Sequence, residues 1–360
     1  MIRLAEIVAQ YAPELIKQYG HELLPGQLKA LSAFELCRSA NAPKMLLACD
    51  GCDKSSWLPH SCGNRHCPHC QSHESQRWID KQLQKLVPGE YFMVTFTLPA
   101  EFRQLAWHHQ RELYELIIRN AWATVNTFSQ NDKKLRGTTG AVTVLHTHNR
   151  RLDFHPHVHL VMPAVAFDAR QRLWRNKRSG FLFDHKALAK VFRAKMLESI
   201  RQAGLQLPRS YPAEWVVDCK AVGTGQKALV YLGALFISGA CCPKKNIVSD
   251  QNGKVTFRYQ NSKTKQWESR TLSGVEFLHK ILLHILPKGF RRARNFGFLH
   301  PNSRLVKLVQ LIKRVFVPPP KPRPVPGCPC CGKPMRIVRT RVKYAGDALP
   351  SLASIRETAM

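Results

Sequence analysis

Residues 154–162 read FHPHVHLVM, which sets His155, His157 and His159 at spacing two ahead of an apolar run. Along a strand, alternation sends residues at that spacing to one face. Two imidazoles with one apolar residue between them, His157-Val158-His159, can clasp a single cation. An isolated pair of this kind more often only hydrogen-bonds. Here the preceding stretch, VLHTH at 144–148, supplies His146 and His148, again at spacing two. A hairpin between the two stretches would bring a third imidazole to the pair. Three histidine ligands with open coordination positions suit a Lewis acid. No cluster of acidic residues offers a carboxylate-only alternative.

The twelve cysteines are unevenly placed. LACDGCDKSSWLPHSCGNRHCPHC (47–70) contains Cys49-x2-Cys52 and Cys67-x2-Cys70. Two such pairs about 15 residues apart have the spacing of a structural zinc site, each pair forming one edge of a tetrahedron. The expected ligands are Cys49, Cys52, Cys67 and Cys70, with Cys62 as an alternative and His66 or His69 as further substitutes. The segment has little apolar content to hold it together otherwise. GCPCCGKPM near the other end holds Cys328-x2-Cys331, a half-site with no second pair beyond it; Cys241 and Cys242 are conceivable partners.

Charge indicates the partner. Lys and Arg number 55 against 24 Asp and Glu, a formal net charge of +31. Such a field attracts polyanions and gives salt-dependent affinity for phosphate backbones. No run of about 18 apolar residues is present, so no membrane-spanning helix and no membrane partner are expected. The N-terminal stretch lacks the apolar core and cleavage site of a signal peptide. The expectation is a cytosolic protein facing nucleic acid. Arg65 and Arg77, in and just after the cysteine segment, are candidates for presentation to DNA. LPKGFRRARNFGF (286–298) adds Lys288, Arg291, Arg292 and Arg294, interleaved with Phe290, Phe296 and Phe298. Cations for phosphates and aromatic faces for unstacked bases are the ingredients of single-strand binding; a solvated loop with core phenylalanines is the equal alternative.

A nucleic acid beside a divalent ion raises phosphoryl transfer, which needs a nucleophile. Tyr231 lies in QKALVYLGALF (226–236), a helix opened by Gly223 and Gly225. Lys227 precedes it by one turn on the same face and can touch a phosphate. A tyrosine in an apolar helix is otherwise more often core.

The elements needed to position these residues give an α+β chain. Residues 1–45, 74–87, 101–130, 184–203, 226–236 and 273–286 read as helical. EYFMVTFTLP (90–99), TTGAVTVLHTH (138–148), HPHVHLVMPAV (155–165) and EWVVDCKAV (214–222) read as strands, the middle two as a hairpin. Asn252-Gly253 centres a further hairpin over 246–261. Ser273 with Glu276 caps the helix that follows. From these shifts we divide the chain into a helical zinc-binding module (1–88), a domain that carries the histidines and Tyr231 (89–302) and a basic tail (303–360) whose PPPKPRPVP (318–326) is a stiff linker.

His157-Val158-His159 followed by a tyrosine helix resembles the HUH single-strand endonucleases, where U is an apolar residue. Within them the chain is most similar to rolling-circle transposases of the IS91 type. The likeness runs through SCGNRHCPHCQ (61–71), VLHTHNRRLDFHPHVHLVMP (144–163), ALVYLGALF (228–236), SGVEFLHKILLHILPKGFRRARNFGFL (273–299) and CPCCG (328–332). The resemblance implies a palm-like antiparallel sheet flanked by helices. It implies magnesium or manganese on His157 and His159, with His146 of the Leu145-His146-Thr147 pattern as third ligand and His155 as an orienting residue. Tyr231 would attack a phosphodiester, leaving a 5′-phosphotyrosine and a free 3′-hydroxyl on single-stranded DNA of the element ends and target. Much of the family has a second tyrosine four residues on; here that position is Leu235. Tyr231 would then act twice, or a second protomer of a homo-oligomer would assist. A bacterial, cytoplasmic, nucleoid-associated protein is implied. Two other readings remain: a replication initiator or relaxase of the same superfamily, and a non-catalytic zinc-dependent DNA-binding protein.

Overall fold

The computed structural model of this 360-residue chain describes residues 2–67, 70, 72–238, 246–261, 264–315, 319 and 325–342. Cys241, Cys242, His69 and most of the proline-rich stretch lie outside the described residues. The chain begins with α1 (Leu4–Tyr19) and α2 (Pro25–Leu36), then a hairpin of β1 (Lys44–Cys49) and β2 (Ser55–Pro59), then α3 (Ser72–Leu83). The expected helix over 1–45 is thus two helices, broken after Tyr19, and the hairpin begins at its end. β3 (Tyr91–Thr97) leads through a short 3-10 turn (Ala100–Phe102) into α4 (Arg103–His108) and α5 (Gln110–Asn131). β4 (Gly140–His148) and β5 (Phe154–Pro163) pair antiparallel, as expected, and a small ribbon of β6 (Val165–Asp168) and β7 (Leu173–Asn176) follows. α6 (His185–Gln202) is capped by the Asp184 carboxylate, which accepts from the Ala187 amide. Next come β8 (Val217–Ala221) and α7 (Gln226–Ser238). β9 (Ile247–Gln251), β10 (Lys254–Gln260) and β11 (Trp267–Ser273) form a three-stranded sheet, with Asn252 and Gly253 at φ 51 and 72 in the turn. Ser273 accepts from the Glu276 amide to cap α8 (Gly274–Leu282). β12 (Ala293–Gly297), α9 (Leu305–Ile312) and β13 (Met335–Val342) complete the described elements.

The centre is a five-stranded antiparallel sheet in the order β12-β4-β5-β3-β8. Helices cover both faces, which is why β4 and β5 read as nearly continuous apolar runs. One face packs Phe96, Leu145, Val158 and Leu160 against α5 and α6. The other packs Val142, Val144 and Val161 against Leu229 and Leu232 of α7. α3 lies over α7, and their approach is close: a Cβ on Gly233 would sit 2.1 Å from Ile79 Cγ1. Gly225 starts α7 at φ 80, with Tyr91 filling the space where a Cβ would go.

The outer parts of the chain do not form separate layers in sequence order. α1 and α2 share a core with β10, β11 and α8, including Ile7, Leu15, Phe34, Val255, Phe257 and Phe277. β13 runs antiparallel along β1, so part of the 303–360 segment is built into the N-terminal hairpin. Of the two readings of the phenylalanines in 286–298, core packing holds for two of the three. Phe290 and Phe298 are buried core residues, and Phe296 stacks on Trp122 at 5.2 Å between ring centroids. Phe290 and Phe298 flank β12 and fill the core, so those two rings are closed to bases, whereas half-buried Phe296 lines a cleft beside β12.

Candidate active site and metal centres

β4 and β5 place the histidines by register. His146 pairs across with His157, and Val144 with His159. Paired residues in an antiparallel ladder point the same way, so His146, His157 and His159 converge on the α7 face. Their ring centroids lie 5.1 Å (His146–His157), 4.6 Å (His146–His159) and 4.9 Å (His157–His159) apart. One ring nitrogen from each lies within 4.8 Å of the others. The register slips between His146 and His148. His148 is therefore carried away, to 4.7 Å from the ring of His284.

The hydrogen bonds leave the inner nitrogens available. His157 Nδ1 donates to the carbonyl of His155 at 2.7 Å, which frees Nε2. His155 thus orients its neighbour through its backbone, while its own ring faces Arg103 at 3.4 Å. His159 Nδ1 meets Thr95 Oγ1 at 2.9 Å. Thr95 on β3 pairs across with both His159 and Asp218. Buried His146 Nε2 has no hydrogen-bond partner among the described residues. Such an orphan is costly unless a ligand or ion satisfies it. Burial, with smaller contributions from the other imidazoles, holds His146 far below the ordinary range. Burial and His159 push His157 down to about 3. Burial pushes His159 down to about 4, against an opposing pull from Asp218. All three are neutral near pH 7, the form in which imidazole binds metal. The donor set fits a divalent cation.

Tyr231 sits on α7 above this cluster. Its ring centroid is 6.3 Å from that of His159, at 82° to it, and the side chain is 39% exposed. It is therefore neither walled into the core nor remote. Lys227, one turn earlier, is exposed. Thr95 and Asp218 were not singled out from the sequence. The signal for Thr95 was its polarity inside the apolar run of β3, on the strand that pairs with the histidine strand.

Eight of the described cysteines form two tetrads, and neither is the expected set. Cys37, Cys62, Cys67 and Cys70 gather in one, Cys49, Cys52, Cys328 and Cys331 in the other. Cys49 and Cys52 are thus separated from Cys67 and Cys70, Cys62 is a member in its own right, and Cys37 was overlooked. The reason is the β1–β2 hairpin, which carries Cys49 and Cys52 to its tip while Cys37 and Cys62 stay at its base. Thiol contacts run from 3.3 to 3.6 Å in the first tetrad and 3.4 to 3.5 Å in the second. These are close to the about 3.8 Å edge of a tetrahedron with zinc–sulfur bonds of about 2.3 Å. His66 is buried but outside both groups.

The basic candidates have differing surroundings. Arg65 donates to the Phe290 carbonyl at 2.6 Å. Arg77 pairs with Glu74 at 3.3 Å on the surface of α3. Arg294 makes a two-pronged pair with Glu115. Burial, with nearby Arg65, lowers Arg292 to about 10. Lys288 and Arg291 are exposed. A cleft of about 1340 Å³ runs along the free edge of β12, lined among others by Trp78, Lys81, Lys85, Arg291 and Lys307. No helix among the described residues is long and apolar enough to cross a membrane.

Comparison with known proteins matches both the cysteine segment and the stretch that carries the histidines. Residues 7–98 match a family model described as "Transposase zinc-binding domain" of the IS91 type, and residues 140–305 match one described as "Putative transposase". A "Putative transposase y4qJ" of Sinorhizobium fredii is 31% identical over 330 residues, 85% of this chain and 82% of that protein. The "Transposase for insertion sequence element IS801" of Pseudomonas savastanoi pv. phaseolicola is 27% identical over 269 residues, 69% of this chain and 63% of that one. No solved structure matches. The two family models cover the cysteine segment and the stretch from β4 through α7 in turn, and the first relative covers 85% of the chain at 31% identity: the chain belongs to the IS91-type transposases with an N-terminal zinc-binding domain.

Proposed function

We propose that the protein is a DNA transposase that cuts and rejoins single strands through a covalent tyrosine intermediate, on an HUH-type palm. The observation that carries this reading is the placement of an exposed phenol 6.3 Å, ring to ring, from a cluster of three neutral imidazoles. His146, His157 and His159 would hold magnesium or manganese, which when bound neutralises charge on the non-bridging oxygens of a phosphodiester. Tyr231 Oη attacks phosphorus, the bond from phosphorus to the 3′-oxygen breaks, and that oxygen leaves as a hydroxyl. The product is a 5′-phosphotyrosine. In the reverse sense, a 3′-hydroxyl attacks the phosphotyrosine and releases the phenol, so bond energy is stored between steps. Lys227, exposed one turn away, binds the incoming phosphate. Thr95 fixes the His159 ring, as the hydrogen-bond partner of a metal ligand orients it; Asp218, opposite Thr95 on β8, adds negative charge near the ring while pairing with Lys220 at 2.6 Å.

With Leu235 at the position of a second tyrosine, Tyr231 serves both ends in turn, or a second protomer supplies one step. Arg291 and the other cations of the β12 cleft lead single-stranded element ends and target toward the site. The setting for this work is the bacterial nucleoid. The test is a labelled single-stranded element end incubated with the full chain and manganese. A protein–oligonucleotide adduct is expected, absent in Tyr231→Phe and reduced at least a hundredfold in His157→Ala. Adduct formation by the phenylalanine variant would remove Tyr231 as nucleophile. No adduct on any end sequence would favour a non-catalytic DNA-binding protein.

A further inference from the structure

The second cysteine tetrad draws on both ends of the chain. Cys49 and Cys52 lie within the segment that matches the zinc-binding family model, but Cys328 and Cys331 lie about 230 residues beyond it by residue number. The first tetrad, Cys37, Cys62, Cys67 and Cys70, already supplies a full set of ligands inside that segment. We propose that Cys49, Cys52, Cys328 and Cys331 bind a second structural zinc, which clasps the C-terminal strand to the N-terminal hairpin and makes one split zinc ribbon from the two chain ends.

The two halves are built alike. In the first, the Gly51 amide points at Cys49 Sγ at 3.3 Å, and the Cys49 amide donates to the Lys54 carbonyl at 2.9 Å. In the second, the Cys330 amide points at Cys328 Sγ at 3.4 Å, and the Cys328 amide donates to the Lys333 carbonyl at 2.8 Å. Amides aimed at sulfur stabilise thiolate, the form that binds metal. The knuckles face each other, with Cys49 Sγ 3.4 Å from Cys331 Sγ and Cys52 Sγ 3.5 Å from Cys328 Sγ. Behind them β13 runs along β1 from Met335 opposite Cys49 to Val342 opposite Lys44.

Apolar packing cannot account for this attachment. Among the described residues, the buried cluster beneath the knuckles is Leu47, Cys49, Cys328 and Met335, with only half-buried Met45 packed against it. Two of those four are the thiols themselves. So small a cluster does not offset the entropy of ordering the strand, whereas metal binding of this type couples directly to folding. The Arg336–Asp50 pair at 2.9 Å is exposed and adds little. Cys330 points elsewhere: it is exposed and outside the tetrad.

Metal counting on the full chain tests the proposal, in a His157→Ala background so that the imidazole cluster does not contribute. Native mass spectrometry should find two zinc ions per chain. Cys328→Ser/Cys331→Ser should carry one, and so should Cys49→Ser/Cys52→Ser. The variant with all four substitutions should also carry one, because both pairs serve the same ion. That retained ion doubles as a report that the rest of the module has folded. Cleavage within 303–327 by a protease should leave the C-terminal fragment attached in the two-zinc protein and release it from each one-zinc variant. A single zinc in the chain with both tetrads intact would overturn the proposal. So would zero zinc in the fourfold variant, which would return Cys49 and Cys52 to Cys67 and Cys70. Attachment of the fragment unchanged in the variants would show that the strand needs no clasp.

Discussion

At the scale of residues, the site depends on neutral imidazoles held with their inner nitrogens free. Thr95→Val removes the partner of His159 Nδ1 while keeping the side-chain volume. By analogy with outer-shell partners in general, manganese affinity should fall about 10- to 100-fold, with little change in thermal stability. A manganese titration of adduct formation measures this, and an unchanged titration would exclude Thr95 from orienting the ring. The same imidazoles set a pH dependence. In the unfolded chain they take up protons near 6.5, and in the folded, metal-free protein His157 does so only near 3 and His159 near 4. Between those values the unfolded state binds more protons, so stability is full above about pH 6.5 and declines as pH falls toward 4. Urea unfolding across that range should show the decline, with a shallower slope in His157→Gln. Equal slopes would mean that His157 is not held neutral by the fold.

At the scale of elements, α7 must lie close to the sheet for Tyr231 to reach the cluster, and α3 holds it there. Gly233→Ala puts a methyl group into Ile79, where its Cβ would be 2.1 Å from Cγ1. Overpacking of this kind costs about 1–3 kcal/mol. The expected result is a lower melting temperature together with reduced adduct yield. Adding Ile79→Ala should restore part of the yield by making room. If the yield is unaffected while stability falls, the packing of α3 on α7 does not set the position of Tyr231. The capping of α8 is a separate matter: Ser273 serves the α1–α2 core and stands apart from the histidines.

At the scale of the whole molecule, the net charge of +31 predicts binding to single strands that weakens steeply with salt. The exposed cations of the β12 cleft should account for part of it. Replacing Lys81, Arg291 and Lys307 by alanine should lower affinity for an oligonucleotide at low salt. The slope of log affinity against log salt should become shallower by about 0.7 for each phosphate that is no longer neutralised. Fluorescence anisotropy over a salt series would show this. A parallel shift with unchanged slope would place the DNA elsewhere. Charge alone does not make every cation of the cleft available: Arg294 lines it beside Arg291 but is paired with Glu115.

The sequence by itself determined what is local. Alternation placed the histidines on one face of a strand, and Asn252-Gly253 and Ser273 marked a turn and a cap that the structure contains. Gly223 and Gly225 marked the start of the tyrosine helix, and spacing marked the cysteines as pairs. Only the tertiary structure decided which pairs meet. Cys49-x2-Cys52 and Cys67-x2-Cys70 have zinc-site spacing, yet a six-residue strand between Cys37 and the hairpin tip parts them. Their true neighbours are set by strand pairing between positions far apart in the chain, as Cys49 opposite Met335 shows. The same holds for Thr95 beside His159 and for Phe290 and Phe298 in the core. Spacing reports the geometry of a few bonds, whereas strand order and helix packing are fixed by burial summed over the whole chain.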